Sequence, residues 1–330
     1  VASQGFKNTQ QHYYNQLVIS SQKQQLIKIL QIHPQFRNSD LYHQTLQRKL
    51  REIKQSAGLS FVQLLDKRQC KLANVALCQH FNSKLVNAAS RGEGGSAVEV
   101  FSALQLASID KSLVELAKVP IKNTANATST QKSVEDRAMM LHLAYPLIDN
   151  NGKVRAILSG GVLMNRNNAF VDQIKQTVYS EGSLHTQSVG TVTLFLDDVR
   201  ISTNVPDQHQ VGGRAIGTKV STQVREKVLI EGERWLDRAF VVNDWYISGY
   251  LPITDSAGAR VGMIYAGFLE APFRQELYDW LWQLLLLVTV VIIGCAYIVV
   301  HGAKSIFYPI ENMAKVITAI RAGFRQRINL

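Results

Sequence analysis

The stretches "PLIDNNGKVRAILSGGV" (Pro146–Val162) and "PITDSAGARVGMIYAGF" (Pro252–Phe268) decide the fold, because each writes the same hairpin. Pro146, Asp149, Gly152 and Gly161 return as Pro252, Asp255, Gly258 and Gly267 at a constant offset of 106 residues. Asp favours a tight turn by bonding backbone N–H groups just ahead of it, and Gly takes the positive φ that closes such a turn. Each copy therefore predicts two apolar strands joined by a D-x-x-G turn. Gly161 and Gly267 fall late in the second strand, where a side chain would obstruct close packing. A repeated hairpin predicts two modules of like construction.

Outward from the copies, the first module is entered through helices. Residues 2–32 hold no Pro and only Gly5, with Phe6, Tyr13, Leu17, Leu26 and Leu30 near helical spacing, so one long helix is expected. Asn38–Gln55 reads as a second helix capped by Ser39 or Asp40, with Leu41, Leu46 and Leu50 on one face. "LSFVQLLDKRQCKLANV" (59–75) is strand, polar turn, strand, and "ASRGEGGSA" (89–97) is a loop. The second module repeats the plan. "VTLFLDDVRIST" (192–203) is strand, acidic turn, strand, and "VSTQVREKVLIEGE" (220–233) is a short helix. Arg238–Phe268 supplies three more strands through turns at Asn243–Asp244 and Asp255–Gly258. Each sheet is expected to be antiparallel with five or six strands.

After the second copy the chain enters "LWQLLLLVTVVIIGCAYIVV" (Leu281–Val300), uncharged and with only Gln283 and Thr289 clearly polar. About twenty such residues cross a bilayer, and Tyr278, Trp280 and Trp282 at its start with Tyr297 and Tyr308 near its end suit the interfaces. Lys304, Lys315, Arg321, Arg325 and Arg327 against Glu311 put the C-terminal side in the cytoplasm by the positive-inside rule. Residues 1–278 are then periplasmic or extracellular. The chain reads as a segment of a longer protein, with an uncleaved membrane helix expected upstream of Val1. The expected limits are 1–57 for the N-terminal helices, 58–184 for a membrane-distal module and 185–275 for a membrane-proximal one. A transmembrane helix at 279–303 and a linker helix over 304–330 complete the order.

Composition narrows the function. A length of 330 residues at 46% hydrophobic content accommodates more than one core. The net charge of +11 is scattered, with no basic run interleaved with aromatics, so nucleic acid is not an expected partner. Cys70 and Cys78 are close enough in sequence to pair in an oxidising compartment, while Cys295 lies in the membrane span. No C-x-x-C or H-x-x-x-H spacing occurs, so neither metal nor cofactor is expected. No G-x-S-x-G nucleophile context is present. Gly212, Gly213 and Gly217 lack dinucleotide spacing, and Asp197-Asp198 reads as a solvated turn. Catalysis by this segment is not expected.

"TLFLDDVRISTNV", "GGRAIGTKVS", "RAFVVNDWYISGYLPITD" and "GMIYAGFLEAPF" together resemble a double Cache sensor region of the Cache 3/Cache 2 fusion type. The resemblance covers residues 1 to 273 and is strongest over 185–273. "FYPIENMAKVITAIRAGFRQRI" resembles the first helix of a HAMP linker, with Pro309 at its start, Ile310, Met313, Ile317 and Ile320 at coiled-coil spacing, and Gly323 at its end. The fold class implied is α+β: a long N-terminal helix, two PAS-like Cache modules with antiparallel sheets, then one transmembrane helix.

The function implied is extracytoplasmic sensing of a small-molecule ligand. The receptor would be a homodimeric membrane protein, a two-component sensor histidine kinase before a chemoreceptor or a cyclic-dinucleotide enzyme. In such modules the pocket lies on the outer face of the sheet, under the connection between its second and third strands. The proximal candidates are Arg200 and Asn204 from the second strand, Trp235 and Arg238 from the third, and Tyr246 and Ser248 from the fourth. The distal candidates are Arg137, His142, Tyr145 and Asn165. An Arg fork with Tyr hydroxyls suits a carboxylate. The amino-acid pattern of a Tyr, an Arg-x-Trp-Tyr and an Asp is not reproduced. Because only the second copy leads into the membrane, the distal module is expected to sense and the proximal one to transmit. A protein-interaction domain, marked by an exposed apolar patch, and a structural spacer are the alternatives.

Overall fold

The computed structural model describes residues 1–31, 39–67, 69–72, 83–179, 190–207, 210, 212–242 and 244–321. Two compact units divide it, Val1–Glu270 and Ala271–Leu330.

The first unit is mixed helix and antiparallel sheet. The expected single N-terminal helix is two, α1 (Ala2–Ser20) and α2 (Lys23–Leu30). Gln22 takes a left-handed φ of 41° between them, and the buried Ser21 turns its hydroxyl onto Val18 O, so the helical ladder stops there. α3 (Asp40–Ser56) starts at Ser39, whose hydroxyl accepts the Tyr42 N–H. It buries Tyr42, Leu46, Leu50 and Ile53, each worth about 1.5–3 kcal/mol when fully taken from water. Leu41, expected on this stripe, is 74% exposed, because the stripe begins one residue later at Tyr42.

The first sheet has the order β1-β6-β5-β2, with β1 at Phe61–Leu65, β2 at Gly95–Phe101, β5 at Ala138–Ile148 and β6 at Val154–Leu163. It counts four strands among the described residues, against the five or six expected. After β1 only an isolated bridge, Leu65 to Lys71, continues the hairpin, and residues 73–82 lie outside the described residues. The glycine-rich stretch expected to be all loop instead starts β2 at Gly95, since Gly95–Ala97 pair with Ala144–His142. Helices α4 (Lys84–Ser90), α5 (Ala103–Ile109) and α6 (Lys111–Ala117) and the two-stranded pair β3 (Val119–Pro120) and β4 (Val134–Glu135) fill the connections. α7 (Asn168–Val178) then leads towards the second sheet.

That sheet runs β8-β7-β11-β10-β9, built from β7 (Gly190–Leu196), β8 (Val199–Thr203), β9 (Trp235–Val241), β10 (Asp244–Thr254) and β11 (Arg260–Leu269). Between β8 and β9, α8 (Thr222–Arg225) passes into a π-helical turn, Glu226–Ile230. One apolar core runs from the helices across both sheets, joining Leu17, Leu26, Leu46, Leu141 and Leu158 with Val192 and Ile264.

The two copies fold alike in detail. Asp149 Oδ1 accepts the N–H groups of Asn151 and Lys153, and Asp255 Oδ1 those of Ala257 and Ala259, all at 2.8 to 3.0 Å. Gly152 and Gly258 close the turns at φ of +75° and +87°. Both hairpins carry a register shift at the same place, Leu147/Ile148 and Ile253/Thr254. A Cβ on Gly161 would lie 2.6 Å from the Phe61 ring, and one on Gly267 2.9 Å from Ile247 O.

Cys70 is disulfide-bonded and Cys295 is free, while Cys78 lies outside the described residues. In the second unit, α9 (Ala271–Arg321) is a single 51-residue helix running through Pro309, and its apolar stretch is long enough to cross a membrane. Ile310, Met313, Ile317 and Ile320 are exposed along it. Gly323, Arg325 and Arg327 lie outside the described residues.

Candidate functional site

The second sheet turns one face towards the connection between β8 and β9. Strand alternation puts Phe195 of β7, Arg200 of β8, Trp235 of β9, Tyr246, Ser248 and Tyr250 of β10, and Met263 and Tyr265 of β11 on that face. Val205, Ala215, Val220, Val224, Val228 and Leu229 of the connection cover it as a second apolar cluster. Charged anchors hold the cover. Arg214 forks onto Asp172 at 2.8 and 2.9 Å, Arg260 donates to the carbonyls of Leu229 and Ile230 at 2.6 Å, and Lys219 pairs with Asp198 at 3.0 Å.

Arg200 is the unusual group. It is 2% exposed, one Nη donates to Thr218 Oγ1 at 2.5 Å, and its guanidinium lies 5.2 Å from the Phe195 ring centroid. Its Nε has no hydrogen-bond partner, and no carboxylate pairs with it among the described residues. Burial pulls its pKa down, partly offset by the nearby Tyr250, Tyr265 and Tyr246. Arg starts so far above neutrality that it stays a cation. The tyrosines supply no counter-charge, because burial pushes the phenols of Tyr250, Tyr265 and Tyr246 up, away from ionisation. Tyr250 and Tyr265 stand 4.8 Å apart by ring centroids, Tyr265 Oη lies 3.1 Å from Thr191 Oγ1, and Trp235 Nε1 is buried without a partner among the described residues. A buried cation costs several kcal/mol unless an anion joins it, and an anion seated on this face would offset that cost.

Of the proximal candidates, the fold brings Arg200, Trp235, Tyr246 and Ser248 onto this one face. Asn204, just past β8, accepts the Val192 N–H at 2.7 Å. Arg238 is on the opposite face, stacked 4.8 Å over exposed Trp245 and paired with Glu270 at 2.9 Å.

The distal candidates do other work. Arg137 forks onto buried Glu135 at 2.9 Å and reaches Asp197 at 2.6 Å. Asn165 is buried, accepting the Met139 N–H and donating to Ala117 O and Arg137 O. Tyr145 is half-buried with its ring edge-on to Tyr14. His142 is 1% exposed, its Nδ1 2.6 Å from Glu99 Oε2 and its Nε2 2.9 Å from Ser159 Oγ, between Phe61 and Phe101. Glu99 also accepts from the hydroxyls of Ser83 and Ser256. Burial pushes the Glu99 carboxyl up, but the His142, Ser256 and Ser83 hydrogen bonds and the His142 charge bring it below its ordinary value. At the 106-residue offset His142 corresponds to Ser248 and Ser159 to Tyr265. The equivalent place in the first sheet is thus closed by its own satisfied network.

Tyr250, Tyr265, Phe195 and Thr218 surround Arg200 as well, outside the candidates expected from the sequence. Continuing the period of two from Tyr246 and Ser248 reaches Tyr250, and the second copy of the repeat itself contains Tyr265. Thr218 carries no local signal. Asp197-Asp198 is not the solvated turn expected, because Asp198 is buried against Lys219 and Asp197 pairs with Arg137.

Residues 162–279 match the family model described as single cache domain 3, a span that contains all five strands of the Arg200 sheet. Among solved structures, the periplasmic domain of Vibrio cholerae LuxQ is similar at 13% identity, with a TM-score of 0.38 over 81% of this chain and 99% of that one. The V. cholerae histidine kinase DctB sensor domain is similar at 11% identity and TM-score 0.36, over 81% and 92%. The periplasmic sensory domain of the Campylobacter jejuni chemoreceptor Tlp1 is similar at 11% identity and TM-score 0.35, over 81% and 90%. No curated protein matches the chain.

Proposed function

We propose that this chain is the extracytoplasmic sensing region, with its membrane helix, of a homodimeric transmembrane receptor, and that it binds a small carboxylate on the Arg200 face. The observation that carries this reading is the buried guanidinium with, among the described residues, an unpartnered Nε and no carboxylate beside it. A carboxylate accepts two parallel N–H bonds from such a fork, and the tyrosine and tryptophan edges add neutral donors. Sensing then belongs to the proximal module, reversing the division of labour expected from the sequence. Residues 58–184 form the distal module in this reading.

Ligand would act on the β8–β9 connection that covers the site, and so on β10 and β11, whose end precedes α9. The size of any such shift is bounded by the ligand's differential affinity for two states. The exposed stripe of Ile310, Met313, Ile317 and Ile320 supports pairing of α9 with a second copy in a HAMP-type bundle on the cytoplasmic side. A histidine kinase is the output we favour, ahead of a chemoreceptor or a cyclic-dinucleotide enzyme.

The test is a thermal-shift screen of the full chain in lipid nanodiscs against small carboxylates, amines and purines. A carboxylate should raise Tm in a concentration-dependent way in the wild type and not in Arg200→Met. No shift from any carboxylate at millimolar concentration overturns the reading. A second reading rests on Leu236, Phe240, Trp245 and Ile247, which expose an apolar patch at the β9–β10 edge suited to a protein partner. Trp245→Asp with Ile247→Asp would abolish that docking while leaving the carboxylate shift in place.

A further inference from the structure

A second site, separate from Arg200, is built at the edge of the first sheet. Between α3, β1 and the α5–α6 junction lies a cleft of about 430 Å³, a volume in the range of small-molecule sites. Gln63 of β1 lines it, is 6% exposed, and among the described residues has neither its Nε2 nor its Oε1 hydrogen-bonded. A buried amide with both ends unpaired is a costly arrangement unless something else occupies them. Arg51, Lys54 and Lys71 also line the cleft, against Asp110 as the one carboxylate among the described residues of its wall. Asp110 Oδ1 is already taken by the N–H and hydroxyl of Ser112, where it caps α6. Lys71 uses one Nζ donor on Ser108 O and keeps the others, and Arg51 makes no ion pair among the described residues. Among the described residues the wall therefore carries three cations, one anion and a free amide.

We propose that this cleft binds a small phosphate monoester, its dianion held by Arg51, Lys54 and Lys71 and a neighbouring hydroxyl paired with the Gln63 amide. The charge count sets the class. An excess of two positive charges matches a phosphomonoester near pH 7 better than a single carboxylate. The amide, which both donates and accepts, matches a hydroxyl beside the phosphate.

The test is calorimetric titration of the full chain in nanodiscs of neutral lipid, at low salt, with glycerol 3-phosphate as the probe. The wild type should bind one equivalent saturably. Arg51→Ala with Lys54→Ala, both on a helix surface, should weaken binding at least about tenfold, and raised salt should weaken it in the wild type. Gln63→Leu should weaken binding of glycerol 3-phosphate while raising Tm in its absence, an outcome that a merely structural glutamine would not give. Arg200→Met should bind the probe as the wild type does. Absence of saturable heat, unchanged affinity in the Arg51/Lys54 double variant, or loss of binding in Arg200→Met each overturns the proposal.

Discussion

Replacing Arg200 by Met should make the ligand-free protein more stable. The native side chain is 2% exposed, and its favourable contacts are one charged hydrogen bond to Thr218 and one stack on Phe195, together about 2–5 kcal/mol. Against them stands desolvation of an unpaired guanidinium, several kcal/mol even after relaxation. Met restores an apolar side chain of similar reach, and sulfur against the Phe195 and Tyr250 rings adds about 0.3–1.5 kcal/mol. Thr218 is not orphaned, since its hydroxyl still donates to Ala215 O at 2.9 Å. The net is a gain of about 1–3 kcal/mol, or roughly 2–4 °C in Tm per kcal/mol for a domain of this order of size. Scanning calorimetry and urea titration of the two proteins without ligand measure it. A loss of about 2 kcal/mol or more in Arg200→Met would refute the reasoning, because it would show the guanidinium to be satisfied by the fold itself.

Other perturbations separate structural roles from sensing. Arg137→Met should cost about 2 kcal/mol, below the buried-pair range because Arg137 is 37% exposed and Lys132 still reaches Glu135, and chemical denaturation should show it with the carboxylate response retained. Gly267→Ala should cost about 1–3 kcal/mol by overpacking, since its Cβ would meet Tyr265 Oη and Ile247 O, whereas Ala257→Ser, exposed at the turn of the same hairpin, should cost less. Glu99 has a folded pKa below its unfolded one, so it contributes stability above the unfolded value that is lost as pH falls through the depressed folded value. Glu99→Gln should therefore flatten the acid limb of a Tm-against-pH curve, and an unchanged limb would contradict the assignment.

Much of the fold was legible because it is written in local grammar. The D-x-x-G hairpins, their offset and the apolar span need only neighbours within a few residues, and the structure repeats them down to the register shift beside each turn. What failed locally depended on distant partners. Gln22 breaks the first helix in a place where no Gly or Pro warns of it, held there in part by Lys49 Nζ donating to its Oε1. Gly95 looks like loop until β5 is beside it to pair with. The site shows the same limit. Arg200 and Tyr246 were visible as types on strands, but whether an Arg finds a carboxylate is a tertiary fact. Arg137 found the nearby Glu135 and the distant Asp197, whereas Arg200, with Asp198 equally near in sequence, found no carboxylate among the described residues.

The most direct measurement of the central claim is calorimetric titration of the full chain in nanodiscs with the carboxylate that shifts Tm most, in the wild type, Arg200→Lys and Arg200→Met. One saturable site per chain should appear in the wild type, with affinity reduced in Arg200→Lys, which keeps the charge without the fork, and lost in Arg200→Met. Equal affinity in all three proteins would contradict the account.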